Sequence, residues 1–324
     1  MRRGSSCSVP KGKGEALAPG VPAAPARAAL PVGDPHRDLY GAVEKTLFAL
    51  PGRFESDLVI SGVLATDLHT FNTSLGATIE SQVVERLNET RGQWDPDNKY
   101  VGYEFARQPQ TFPDVLLKAT APNAVEPILM GIELKGWYAL AKEREPSSRF
   151  KTTPAVCAPR DLLAVFPWAL SSVVSGSPRL FQPFVVPARY AAEHRNWYWQ
   201  YGKKGKGGDT AINLSGVKQP YPEKSDQISD EPKSDKGGNF GRFARTGIMD
   251  DYVDSLFSEQ LLGIPLDSWQ RFFALFTGKT TTQAITTNLE RWAAQVAKAK
   301  PKLDAEQVES LRGHFAKIAG ILEE

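Results

Sequence analysis

Asp114, Glu133 and Lys135 are charged residues set inside otherwise apolar runs, in the stretch FPDVLLKATAPNAVEPILMGIELKGW from Phe112 to Trp137. Two carboxylates that converge on one point make a hard-oxygen site suited to Mg²⁺, which keeps several of its waters and readily takes a phosphate oxygen. An ammonium group beside them can orient an attacking water, lower its pKa, or stabilise charge developing on phosphorus. A Pro-Asp followed by an acidic-x-Lys is by itself a common pattern, and Pro96-Asp97, Asp97-x-Lys99 and Glu231-x-Lys233 repeat its parts in polar stretches. Apolar context sets the three residues apart. Burying a charge without a partner is costly, so such placement calls for a metal or a compact ionic network.

Short segments rich in β-branched and aromatic residues must hold them. Tyr100 to Ala106, Phe112 to Ala119 and Pro127 to Trp137 are separated by Pro, Asn and Gln, and read as successive strands of a meander. Side chains alternate across a sheet, so Glu133 and Lys135 share a face, and Asp114 reaches that face if its strand pairs alongside. Upstream, NTSLGATIESQVVERLNETR has apolar positions Leu75, Ile79, Val83 and Leu87 on one stripe, with Thr73 or Ser74 as N-cap. Glu80 lies on the apolar flank of this helix beside Val83, Val84 and Leu87, whereas Glu85 groups with Ser81, Asn88 and Glu89 on the polar face.

The pattern Pro113-Asp114, then Glu133-x-Lys135, resembles the PD-(D/E)xK nuclease superfamily, to which most type II restriction endonucleases belong. The order helix, strand, Asp-bearing strand, Glu-x-Lys strand resembles that superfamily's common core over about residues 75 to 140. The resemblance implies a restriction-endonuclease-like α/β fold, a central mixed sheet flanked by helices, followed here by an α-helical C-terminal region. It further implies Mg²⁺-dependent hydrolysis of DNA phosphodiester bonds at a specific duplex site, usually by a homodimer. Asp114 and Glu133 would be metal ligands, Lys135 would assist the water, and Glu80 would be the supporting glutamate and a third ligand. Glu104, in the first strand, is a further candidate or a solvated edge residue. An adjacent gene for a cognate DNA methyltransferase would mark a restriction system. A repair or nicking nuclease of the same superfamily, a noncatalytic DNA-binding protein that retains the fold, and an enzyme unrelated to nucleic acid in which the three charges are only a buried ion network are the alternative readings.

A nuclease must hold a polyanion, and affinity comes chiefly from Lys and Arg at phosphates. The net charge of +2 is uninformative, because a local basic stripe matters more than the sum. Lys203, Lys204 and Lys206 form the densest basic cluster, in a glycine-rich stretch. Arg242 and Arg245 follow Gly237, Gly238 and Gly241, whose amides can approach phosphate closely. Arg107, Gln108 and Gln110 stand just ahead of Asp114, and Arg and Gln are residue types that read G and A edges. The aromatic run Trp197, Tyr198, Trp199 and Tyr201 suits base stacking or core packing. Arg291, Lys298 and Lys300 decorate one C-terminal helix, without a helix-turn-helix signature. The histidines at 36, 69, 194 and 314 are scattered without ligand spacing.

Across its 324 residues the chain is 41% hydrophobic and 23% charged, which excludes a wholly disordered, collagen-like or coiled-coil protein. Two distant cysteines, Cys7 and Cys157, argue against a disulfide framework or zinc ribbon and favour the cytoplasm. Residues 1–35 are basic, then rich in Ala, Pro and Gly, and read as a disordered tail or a misplaced start. They contain no apolar run of the kind a signal peptide needs. No segment approaches the roughly 20 apolar residues of a membrane span. The nuclease core is expected over 36–200, with helices at 36–50 and about 56–70 and later strands at 162–170 and 179–186, where internal prolines point to edges or bulges. Residues 201–246 read as one long polar loop open to DNA. Helices are expected near 247–262, 266–276, 280–300 and 304–322.

Overall fold

The structure is a computed structural model, and it describes residues 20–62, 72–108, 111–141, 143–203, 209–235 and 237–274, with isolated residues at 283, 287, 290, 291, 294, 306 and 309. The apolar stripe Leu39, Val43, Leu47 folds into α1 (Arg37–Ala49) and is fully packed. The stripe Leu75, Ile79, Val83, Leu87 forms α2 (Asn72–Glu89), followed by the short α3 (Arg91–Trp94). Expected helix from residue 56 is not found over 56–62. There the β-branched pair Val59-Ile60 is extended, and Ile60 exchanges backbone hydrogen bonds with Gly176. The rest of that segment, 63–71, lies outside the described residues.

Six strands make one mixed sheet. β1 (Tyr103–Arg107), β2 (Val115–Ala119) and β3 (Ile128–Tyr138) form the expected antiparallel meander. β3 then pairs in parallel with β4 (Leu162–Leu170), Glu133 opposite Leu163 and Lys135 opposite Val165. The segment expected as one strand over 179–186 divides into β5 (Pro178–Leu180) and β6 (Phe184–Pro187). Both pair antiparallel with β4, at its C-terminal and N-terminal halves respectively.

β4 is therefore interior, and the edge expected from its proline is corrected by the register. The Pro167 carbonyl accepts from the Phe181 N–H, on the β5–β6 side. Because a strand residue's N–H and C=O point the same way, the missing N–H falls on that side too, where pairing passes from Val165 with β6 to Trp168 with β5. No bond of the β3 ladder is lost. β1 is one edge of the sheet, and α2 covers it chemically: the Asn88 amide accepts from the Phe105 N–H at 2.9 Å and donates to the Phe105 carbonyl at 2.8 Å. That satisfies a backbone pair which would otherwise template another strand.

Helices flank the sheet. On one face Gly136 meets α2, where a Cβ would lie 3.1 Å from Gly76 Cα, so paired glycines let helix and strand approach closely. On the other face Trp137 stacks edge-on with Phe257 of α5 (Asp250–Ser258), at 6.1 Å between ring centroids. α4 (Ala188–Trp197) follows β6, and its Arg195 ties the region to Phe150 before it and Asp230 after it. The helix expected through residue 262 stops at Ser258. A hairpin of β9 (Gln260–Leu261) and β10 (Ile264–Pro265) replaces it, because Leu262 and Gly263 both take positive φ (54° and 76°), the backbone of a two-residue hairpin turn. α6 (Leu266–Ala274) comes next. Of the helices expected at 280–300 and 304–322, only the isolated residues are described, and each is helical. Among the described residues no helix is long and apolar enough to cross a membrane.

Two stretches expected to be irregular carry specific contacts. In the tail, residues 20–35 have no helix or strand, yet Trp197 donates to the Pro22 carbonyl at 2.8 Å, Arg27 pairs with Glu44, and Asp34 pairs with Arg160. Within 201–246, Ile212–Asn213 (β7) pairs with Glu231–Pro232 (β8), Tyr221 donates to buried Asp161 at 2.6 Å, and Phe240 and Phe243 are in the core.

The approach to β2 is close-packed. Asp161 accepts from the Gly131 N–H at 2.7 Å, and a Cβ at Gly131 would fall 2.3 Å from Pro113 Cγ and 2.9 Å from Asp161 Oδ1. Gly131→Ala therefore overpacks β3 against the residue preceding Asp114. The expected cost is about 1–3 kcal/mol, seen as a lower urea midpoint.

Candidate active site

The residues singled out for chemistry come together at the junction of β2, β3 and α2. Asp114 stands one residue before β2, a step earlier than its expected place within the strand. The register Val115 to Ile132 sets it beside Glu133. Its Oδ2 accepts from the Leu134 N–H at 2.8 Å, which fixes the carboxylate against β3. Lys135 Nζ lies 2.6 Å from Glu133 Oε1 and 3.5 Å from Asp114 Oδ2. The alternation of β3 thus delivers both residues to one face, as its period of two requires.

Burial makes this an electrostatic centre. Glu133 is 8% exposed. Desolvation pushes its pKa up to about 7; the Lys135 charge opposes the rise, and Asp114 adds to it by repulsion and by sharing its proton. Burial alone would depress Lys135, but Glu133, Asp114 and Glu80 outweigh it and hold the ammonium well above its ordinary pKa. In this arrangement Lys135 is accordingly held as a cation. Glu80 is also raised, by burial first and then by Asp114, against the pull of Lys135 and Arg107. It therefore stands within electrostatic reach of the cluster, although its ion pair, at 3.6 Å, is with Arg107.

The donor set fits a hard cation. Glu133 Oε2 is buried and accepts no hydrogen bond among the described residues, and the Asp114 carboxylate lies beside it. Among the described residues no group of three or more His, Cys, Asp or Glu stands ready to hold a metal. A metal here would be held by Asp114 and Glu133 and would complete its shell with water and phosphate oxygens, as Mg²⁺ does. The expected third ligand, Glu80, does not join them in this arrangement.

One consequence is a pH dependence of stability in the metal-free protein. The folded chain binds a proton at Glu133 up to about pH 7, whereas an unfolded glutamate releases it near its model value of 4.5. The folded state thus binds more protons across that window, and stability falls as pH rises through it. Glu133→Gln should flatten this part of the profile and raise the urea midpoint above pH 7, measured against wild type in EDTA.

Candidate DNA contacts fall into three groups. Arg107 ends β1, where it pairs with Glu80 and donates to Ser81 at 3.0 Å, and the Gln108 N–H donates to the Asp114 carbonyl at 2.6 Å. These two therefore border the cluster, while Gln110 lies outside the described residues. Lys203 sits 3.5 Å over the Trp199 ring, and Lys204 and Lys206 lie outside the described residues. Arg242 donates to Glu143 at 3.0 Å, and Arg245 binds Glu145, Glu143 and Asn239. Glu104 is exposed on β1 opposite Lys118, the solvated-edge reading. Of the aromatic run, Trp199 is buried against Phe240 and Tyr201 is about half exposed. His36 binds Tyr100 and Glu126, and His194 binds Thr246, so both are satisfied structurally. His69, His314, Lys298 and Lys300 lie outside the described residues.

Sequence reasoning missed the buried ion pair Arg195–Asp230 and the staple at Asp161, because each joins residues tens of positions apart across loops. No family model, curated protein or solved structure matches the chain.

Proposed function

We propose that the chain is a Mg²⁺-dependent endodeoxyribonuclease of the PD-(D/E)xK kind, built on a restriction-endonuclease-like sheet and acting as a type II restriction enzyme. The observation that carries this reading is the convergence of Asp114, Glu133 and Lys135, within 2.6 and 3.5 Å of one another through the lysine, where the chain enters β2 and in the middle of β3. Glu133 Oε2 is buried and accepts no hydrogen bond among the described residues, which leaves it able to take a cation. A divalent cation, when bound, supplies Lewis acidity at the phosphate and neutralises charge there.

The chain's own residues do the rest. Asp114 and Glu133 hold the cation. Lys135, kept protonated by three carboxylates, donates hydrogen bonds to the attacking water and to oxygen that gains charge at phosphorus. Glu80, tied to Arg107, keeps negative charge on the α2 side of the cluster and supports the lysine's protonation. Arg107 and Gln108 border the cluster where a scissile strand would pass.

Cytoplasmic location, action as a homodimer on double-stranded DNA, and a cognate methyltransferase that protects host DNA belong to the same proposal. Sequencing the ends of products made from unmethylated phage DNA tests it. One common sequence at every end is the expected result. Heterogeneous ends or single-strand nicks would instead identify a repair or nicking nuclease.

A further inference from the structure

Tyr221 takes a backbone that bulky residues rarely adopt, with φ of 51°, between Pro220 and Pro222 in the connection from β7 to β8. Such a conformation persists only where surrounding contacts enforce it. Residues 218–220 and 223–227 on either side are exposed, yet Tyr221 turns its hydroxyl inward and donates to Asp161 Oδ1 at 2.6 Å.

Asp161 is wholly buried at the entry to β4. Its Oδ1 also accepts from the Gly131 N–H and its Oδ2 from the Ala158 N–H, both at 2.7 Å, and its backbone carbonyl accepts from the Ala188 N–H at 2.8 Å. Burial pushes the carboxyl pKa up to about 6, and Tyr221 comes first among the groups that oppose the rise, ahead of both amides. At neutral pH the carboxylate is therefore ionised and accepts from all three donors.

Gly131 carries this anchoring to both carboxylates of the cluster. A Cβ there would fall 2.3 Å from Pro113 Cγ and 2.9 Å from Asp161 Oδ1, so Pro113, Gly131 and Asp161 are packed against one another. Pro113 is joined to Asp114 through the chain, and Gly131 lies two residues before Glu133 in β3. Close-packed groups of low compressibility pass a displacement on.

We propose that Tyr221 is a positioning residue for the cation site: through Asp161 and Gly131 it sets where the Asp114 and Glu133 carboxylates stand. This role rests on the reading of those two carboxylates as metal ligands. It also gives the connection between β7 and β8, polar and outside the main sheet, a part in the chemistry.

The test compares Tyr221→Phe with Tyr252→Phe. Tyr252 donates to the Gln182 carbonyl at 2.5 Å, so the second variant deletes the same kind of bond where α5 meets the link from β5 to β6. In the metal-free protein the Leu134 N–H, which donates to Asp114 Oδ2 at 2.8 Å, reports the position of that carboxylate through its NMR shift. Tyr221→Phe should move the Leu134 amide resonance along with those of Gly131 and Ala158. It should also weaken Mg²⁺ binding, read by calorimetry without DNA, by about tenfold, the lower end of the range for groups that support a metal's ligands. Tyr252→Phe should leave both readouts at their wild-type values. Wild-type Mg²⁺ affinity in Tyr221→Phe, or a Leu134 resonance that stays in place while those of Gly131 and Ala158 move, would overturn the inference and leave Tyr221 a structural residue. A Leu134 resonance that moves in a protein whose wild type binds no Mg²⁺ would instead overturn the metal-ligand reading, and with it the role built on that reading.

Discussion

Lys135→Ala should reduce the single-turnover rate of Mg²⁺-dependent DNA cleavage by about 10²–10³-fold, the range for removing one preorganised donor from a reacting centre. The rate is to be compared on folded protein, because loss of the buried lysine leaves Glu133 and Asp114 without their cation and lowers stability as well. The lysine is a desolvated cation held between Glu133 and Asp114, and in the proposed reaction its loss removes the charge that would face phosphorus. It also leaves two carboxylates facing each other. Repulsion then raises the proton affinity of Glu133 further, so the variant should need a higher pH for whatever activity remains. Lys135→Arg keeps the charge but not the compact ammonium geometry, and should recover only part of the rate. Asp114→Asn should act differently. It removes a ligand charge, so its defect should lessen as Mg²⁺ is raised. A Lys135→Ala protein that cuts at the wild-type rate would remove the lysine from the mechanism.

The second large effect concerns stability. Arg195 and Asp230 are 2% and 0% exposed, and the pair is fully bonded. Arg195 donates to Asp230 Oδ2 at 2.7 Å and to the carbonyls of Phe150 and Thr152 at 2.7 and 3.0 Å, while Asp230 also accepts from Asn196 and the Ser215 N–H. Burial lowers the Arg195 pKa to about 10 despite the opposing pull of Asp230. The pair links α4 to the segment after β3 and to the β8 region, three stretches that share no strand of the main sheet. Removing either partner leaves an uncompensated buried charge, so Asp230→Ala or Arg195→Met should cost about 3–5 kcal/mol in urea unfolding. The double variant Arg195→Met/Asp230→Ala should lose much less than the sum, because no lone charge remains. Additive losses would show that the two groups act independently.

The local parts of the fold were legible because each has a periodic signal. The stripes of α1 and α2 and the alternation of β3 lie in consecutive residues, and β4 came out with the expected bounds, Leu162–Leu170. The catalytic candidates were legible for a related reason: two charges two apart in a buried strand have only one face to share, and a meander brings the preceding strand alongside. Tertiary constraints escaped the reading. Nothing local to Pro167 tells that its missing N–H meets a change of partner between β6 and β5. The helix that ends at Ser258 was extended to 262 because apolar Leu261 and Leu262 continue the pattern, and the turn is set by positive φ at Leu262 and Gly263. In the polar stretch 201–246 the composition speaks for solvent, yet Asp230, Phe240 and Phe243 are buried, held by partners such as Arg195 that lie outside it. Glu80 was placed on the correct flank of α2, but its pairing with Arg107 depends on where β1 ends.

The most direct measurement is digestion of unmethylated phage DNA by the purified protein, run with Mg²⁺ and with EDTA beside the Lys135→Ala protein. The account predicts discrete fragments with Mg²⁺ alone, and intact DNA both in EDTA and with the variant over the same time. Intact DNA from folded wild-type protein with Mg²⁺, across varied substrates and salt, would contradict it and leave Asp114, Glu133 and Lys135 as a buried ion network.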